Sequence, residues 1–291
     1  MTSAQNSTAR PLAPRRRRRW LNVPFIVVVV MAVLTMFPVY WMLLTSILPG
    51  SAMVSRHPAL SPIGQSVSFE SYATVFTQTG IASWFAQSAV VTIGTAVLST
   101  VISVFAAYAM SRFVIPGRKF VALTFLMGRV LPGTVLALPF FVLFQTIGLL
   151  DTPASVILAE SAMIVPVTAL VLKGYLDGIP RDIDEAALVD GCTRWSALWR
   201  VILPISAPGL AACLGLSATS AWTGLLIPRT LLFSNDKWTI PQGIVSFIGE
   251  GRIEWAELMA VGVLSVIPVA IIYWFLQPHL VSGMTAGGVK G

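Results

Sequence analysis

Residues 179–208 read IPRDIDEAALVDGCTRWSALWRVILPISAP. The stretch is too polar to cross a membrane and too regular to be a flexible linker. Pro180 can open a helix, because its missing N–H is not needed in the first turn. Asp182 and Asp184 fall near that helix N-terminus, where the macrodipole favours negative charge. Ile183, Ala186, Ala187 and either Val189 or Asp190 share one face. Gly191, able to take φ > 0, stops the helix. A second short helix follows, capped by Thr193, with Trp195, Leu198, Trp199 and Ile202 on its apolar side. Pro204 and Pro208 end it. The spacing predicts two short helices with an L-shaped break at Gly191.

Outward from this stretch the chain turns apolar on both sides. Six helical spans are expected: Val23–Ile47, Trp84–Met110, Phe120–Ile147, Ala154–Leu172, Pro208–Leu226 and Leu258–Leu276. The first is long enough to cross roughly 30 Å of hydrocarbon at about 1.5 Å per residue. It also exceeds the roughly 7–15 apolar residues of a signal peptide, so it reads as an uncleaved helix. The composition agrees. Hydrophobic residues make up 56% of the chain and charged residues 11%, against about 25% charged in soluble proteins. The fold class is an all-α integral membrane protein with six transmembrane helices and one ordered loop, 174–207, between the fourth and fifth. The connection near Leu150–Pro153 is short, which makes the third and fourth helices antiparallel neighbours. Pro132, Pro139, Pro166 and Pro268 fall inside spans, where neighbouring helices must satisfy the freed backbone groups.

Basic residues orient the chain. With the N-terminus in the cytoplasm, the inner segments hold the Arg15–Arg19 run, the Arg112–Lys119 turn, Lys173, Arg181, Arg194, Arg200 and Lys290. The outer segments hold Arg56, Arg229, Lys237 and Arg252. That asymmetry rejects the flipped topology and places both termini in the cytoplasm of a multi-pass protein of the cell membrane. It also explains the net charge of +7 without nucleic acid, since a basic run beside a span is an orientation signal at the anionic leaflet. Residues 1–20 read as a disordered basic tail. Residues 21–82 hold the first span and an outer loop, 83–279 the core with five spans, and 280–291 a cytoplasmic tail.

Catalytic and metal chemistry find no support. Cys192 and Cys213 make neither a plausible pair nor a cluster, and His57 and His279 are isolated. No G-x-x-x-x-G-K-[ST] loop is present; Gly117–Lys119 and Gly287–Gly291 lack its spacing and context. The chain reads as a non-enzyme without a cofactor or metal of its own.

The series Glu185-Ala186-Ala187, three residues, Gly191, nine residues, then Val201-Ile202-Leu203-Pro204 resembles the "EAA loop" of binding-protein-dependent ABC transporter permeases. Val201 stands where that family usually has Ile, a small change in the same apolar role. The C-terminal part, with Trp238–Pro241, Ser246–Glu250, Trp255 and the terminal TAGGVKG of 285–291, is similar to the small permease subunit of carbohydrate importers of the maltose-transporter type. The likeness covers about residues 20–291.

This resemblance implies a coupling helix that sits in a cleft of a separate ATP-binding subunit. Glu185, Ala186, Ala187, Asp190, Gly191, Leu203 and Pro204 are the expected ATPase-coupling residues. A small Ala face permits close approach, and a charge-assisted contact from Glu185 fixes register. An amphipathic helix on lipid headgroups is the competing reading, and the acidic first turn opposes it. The implied partners are a second permease subunit, two ATP-binding subunits carrying ATP and Mg, and an extracytoplasmic solute-binding protein. The tail 283–291 would reach between the ATPase subunits. The outer loop 227–257 would contact the binding protein, or else pack on the helix ends.

Arg129 and Glu160 lie within spans, where a charge costs about 2.5–3.5 kcal/mol at the bilayer centre. A structural or gating pair is expected of them. Ser217, Ser220 and Trp222 on the fifth span offer hydroxyls and an aromatic face to a solute pathway, although Ser and Thr also serve ordinary helix packing. A sugar such as trehalose or maltose fits, and so does a non-sugar solute of the glycerol phosphate type. A secondary carrier would need an inverted repeat and ionisable midplane sites, neither of which is clear.

Overall fold

The computed structural model describes residues 23–50, 66–114, 116, 117, 120, 123–125, 127, 128, 132–249 and 253–287. The basic tail, Arg56, His57, Arg118, Lys119, Arg129, Arg252 and Lys290 therefore lie outside the described residues.

Two bodies divide at Trp41 and Met42. The first holds most of helix α1, Val23–Ser46. Its residues from Phe25 to Tyr40 are apolar and exposed nearly throughout, and Phe37 stacks on Trp41 at 6.2 Å. A helix apolar on every side suits lipid contact.

The second body begins with the last turn of α1, where Leu44 and Ser46 are buried and Ser46 Oγ meets Tyr72 Oη at 2.8 Å. Tyr72 belongs to α2, Glu70–Gln78. Then come α3, Ile81–Arg112, α4, Gly133–Thr146, and α5, Pro153–Asp177. Two short helices follow: α6, Arg181–Val189, and α7, Arg194–Ala197, which continues as a π turn over Leu198–Ile202 and one more turn, Leu203–Ile205. The chain bends by 79° into α8, Ala207–Thr223. Short helices α9, Leu226–Leu231, and α10, Ile240–Ser246, precede the long α11, Trp255–Gly287.

Among the described residues, α1, α3, α5 and α11 are long and apolar enough to cross a membrane, and the count reaches five when the bent α7–α8 pair is taken as one span. The expected third span does not appear as one helix over 120–147. A helix starts at Gly133, because Pro132 takes an extended conformation with ψ of 136° and caps it. α11 continues to Gly287, into the residues expected as the 280–291 tail.

The centre of the bundle is α3 lying along α5, with α8 across both and α11 against α8. Small residues permit the approach. Ser99 Oγ lies 2.8 Å from Ser217 Oγ, and Ser103 Oγ lies 2.6 Å from Thr168 Oγ1. Such hydroxyl pairs substitute for the hydrophobic drive that lipid removes.

At one end, residues 227–249 pack onto the helix ends. Ile240 and Phe247 join Trp84, Trp222 and Val261 in a buried cluster. Asp151, at φ 57° in the α4–α5 turn, secures this end. Its carboxylate accepts from the Phe233 and Ser234 N–H groups at 2.9 and 3.1 Å, Ser234 Oγ at 2.6 Å and Lys237 Nζ at 2.8 Å.

Candidate functional site

The α6–α7 pair occupies the opposite end from Asp151, beside the last turns of α3 and α5. Pro180 sits at the N-cap of α6, with ψ of 140°, one position earlier than the first turn expected of it. Asp182 and Asp184 occupy that first turn. The C-terminus closes as a Schellman motif: the Cys192 N–H donates to Ala187 O at 2.9 Å and the Gly191 N–H to Leu188 O at 3.1 Å. Gly191 has φ of 86°, which glycine adopts at no steric cost. Thr193 then caps α7, its hydroxyl accepting from the Ser196 N–H at 3.2 Å.

One face of α6 is held down. Ala187 is buried, and Ile183 packs against a cluster of Val104, Leu172, Leu176, Leu198 and Ile202. Arg112, in the last turn of α3, places Nε 2.9 Å from Asp184 Oδ2. The Nε–H is not directed along a hydrogen bond, so the contact is an ion pair by proximity. Two further ties run to backbone: Arg112 Nη2 donates to Ile179 O at 3.2 Å, and Arg181 Nη2 to Ser111 O at 3.1 Å. Ser111 Oγ donates to Asp177 Oδ1 at 2.7 Å. The short helix is thus tied directly to α3, and Ser111 ties α3 in turn to the end of α5. Tyr108, Arg112, Arg181, Asp184, Glu185 and Arg194 line a cavity of about 190 Å³ beside it.

The other face is bare. Glu185, Ala186, Val189 and Asp190 are exposed. The residues expected to share one face divide: Ile183 and Ala187 turn inward, while Ala186, Val189 and Asp190 are exposed, Val189 to 88%, because docking through Asp184 and Ala187 turns that side outward. The apolar side of the second helix also divides. Leu198 and Ile202 are buried, whereas Trp195 and Trp199 flank Phe105, with Trp195 stacked on it at 5.7 Å. Leu203 is buried and Pro204 exposed.

Of the expected pathway residues, Glu160 and Ser220 come together while Ser217 and Trp222 meet other partners. Ser217 is buried against Ser99. Trp222 is buried, its indole N–H donating to Ser265 O at 3.0 Å. Ser220 is exposed and lines a cavity with Glu160. Arg129 lies outside the described residues, so its pairing with Glu160 does too. Arg112 and Asp151 were not singled out as site residues by the sequence reading. Their partners are distant in the chain and leave no local signal.

Comparison with known proteins agrees with this geometry. Residues 99–286 match the binding-protein-dependent transport system inner membrane component. The diacetylchitobiose uptake system permease protein DasC of Streptomyces coelicolor is 32% identical over 94% of this chain and 98% of its own. The galactooligosaccharides transport system permease protein GanQ of Bacillus subtilis is 31% identical over 96% of this chain and 100% of its own. A chain of the crystallised bacterial ABC transporter for import of the acidic polysaccharide alginate shares the fold, with a TM-score of 0.76 at 23% identity over 93% of this chain and 100% of that one. The matched family and the relatives aligned over nearly their full length show that this chain belongs to the binding-protein-dependent transport system inner membrane components.

Proposed function

We propose that this chain is a permease subunit of an ATP-driven sugar importer, forming half of a translocation pathway that alternates its access. A second permease subunit completes the pathway. Two ATP-binding subunits hold ATP and Mg, and an extracytoplasmic binding protein delivers the solute. Both termini lie in the cytoplasm, as the placement of Lys and Arg favours. The relatives' uptake of diacetylchitobiose and galactooligosaccharides supports a sugar as the solute.

One observation carries the coupling role. Helix α6 is tied on one face to the end of α3, which Ser111 joins to the end of α5, and bare on the other, where Glu185, Ala186 and Val189 are exposed. A subunit gripping the bare face moves two membrane helices with it, because the tied face transmits displacement without slack. Asp190, Gly191, Leu203 and Pro204 set the angle and the exit of the handle.

The test is the purified complex carrying Glu185→Arg together with Ala186→Trp. Loss of the ATP-binding subunits from the complex, with the permease pair still intact, is expected. Retained ATPase subunits and undiminished uptake overturn the coupling role. ATPase stimulation by sugars, screened across disaccharides and oligosaccharides, checks the solute class.

A further inference from the structure

Glu160, inside α5, is 6% exposed, and its Oε2 has no hydrogen-bond partner among the described residues. An unsatisfied buried polar group costs about 1–3 kcal/mol, more when charged. An ionisable residue kept in a span at that expense marks a functional site by default.

The carboxyl lines a cavity of about 190 Å³ with Met163, Ile164, Ser220, Gly224 and Leu226. Gly224 leaves the room. A Cβ there would fall 2.5 Å from Glu160 Oε1. Its φ of −64° is open to any residue, so glycine serves the space and not the backbone. Ser220, which lines the cavity from α8, is exposed. A hydroxyl and a carboxyl group at membrane depth face a water-filled pathway or another polypeptide in preference to lipid.

The chemistry selects a ligand class. A carboxyl oxygen that can accept, a hydroxyl and apolar walls from Met163, Ile164 and Leu226 suit a neutral polyhydroxylated ring. A calcium ion takes six or more oxygen ligands, and among the described residues Glu160 is the one acidic side chain lining this cavity. The volume lies below the roughly 300–1,000 Å³ of a complete ligand pocket, which makes the cavity a subsite. We propose that the Glu160–Ser220–Gly224 cavity is a solute subsite that accepts hydrogen bonds from the hydroxyls of one sugar ring. This deepens the importer reading and rests on its sugar assignment.

The test uses the whole importer in lipid vesicles, with its second permease, ATP-binding subunits and binding protein. Trehalose, maltose, diacetylchitobiose and galactobiose are offered in turn. The sugar that wild type takes up becomes the probe, together with its monodeoxy analogues. In wild type, at least one analogue should enter about tenfold more slowly than the parent. In Glu160→Leu, parent and analogue should enter at the same reduced rate. In Glu160→Gln, which keeps the shape and covers the case where the leucine variant fails to assemble, the gap should shrink at least threefold. A gap of wild-type size in Glu160→Gln and Ser220→Ala overturns the subsite, since a purely structural Glu160 slows all sugars alike. A wild-type complex that admits none of the sugars overturns the sugar assignment instead. Sodium-dependent uptake that Glu160→Gln abolishes assigns the cavity to a cation and overturns the proposal as well.

Discussion

Arg112 Nε lies 2.9 Å from Asp184 Oδ2, with the two side chains 5% and 15% exposed. The pair joins the last turn of α3 to the first turn of α6. Breaking one partner of a buried ion pair costs roughly 3–5 kcal/mol, and the residual exposure of Asp184 places this pair at or below the low end. Arg112→Met should therefore destabilise the permease and also uncouple it, so that ATP is hydrolysed with little uptake. The double variant Arg112→Met, Asp184→Leu should recover stability and not coupling. Thermal unfolding and uptake per ATP hydrolysed check the two outcomes separately.

Gly191 turns the chain at φ of 86°, and nothing lies within 4 Å of the place a Cβ would occupy. A substitution there is limited by backbone conformation alone, at about 1–2 kcal/mol for most residues. Gly191→Asn, which tolerates the left-handed region, should couple nearly as wild type does. Gly191→Val should not. Comparing sugar-stimulated ATPase activity of the two variants decides whether the angle of the handle matters.

Burial alone would raise the Asp151 carboxyl, but hydrogen bonds from Lys237, Ser234 Oγ and the Phe233 and Ser234 N–H groups outweigh it and hold the group below the usual carboxylate range. The same contact with Asp151 raises Lys237. A depressed carboxylate contributes stability above its unfolded value of about 3.9, lost as pH falls through the lower folded value. A raised lysine contributes below about 10.4, lost as pH climbs through the folded value. Their contribution should therefore be level between about pH 5 and 9. Asp151→Asn should lower the thermal midpoint by about 2–4 °C throughout that window, read by thermal unfolding at pH 5, 7 and 9.

Ser99 and Ser217 meet across α3 and α8 at 2.8 Å. Interhelical hydrogen bonds of this kind contribute about 0.6 kcal/mol on average. A double-mutant cycle with Ser99→Ala and Ser217→Ala should return a coupling energy near that value and leave sugar selectivity unchanged. A change in selectivity would put Ser217 on the solute pathway.

Apolar runs announced α1, α3, α5 and α11 because each run exceeds the bilayer thickness by itself. Gly191, Thr193 and the acidic first turn announced the helix pair because caps and breaks depend on a few adjacent residues. Pro132 was visible as a kink and became a helix start, since a proline's effect depends on the turn that its neighbours permit.

The amino-acid order alone therefore determined that this chain lives in a membrane, that a bent pair of short helices interrupts its spans at 181–205, and which family its spacing resembles. All of these are properties of composition, period and local backbone preference. Folding in three dimensions decided which face of α6 is tied and which is bare, that Arg112 meets Asp184, that Asp151 gathers the 233–237 turn, and that Gly224 leaves room beside Glu160. Those depend on how separate helices dock. Docking sums many weak contacts between residues far apart in the chain, and no short stretch of sequence carries that sum.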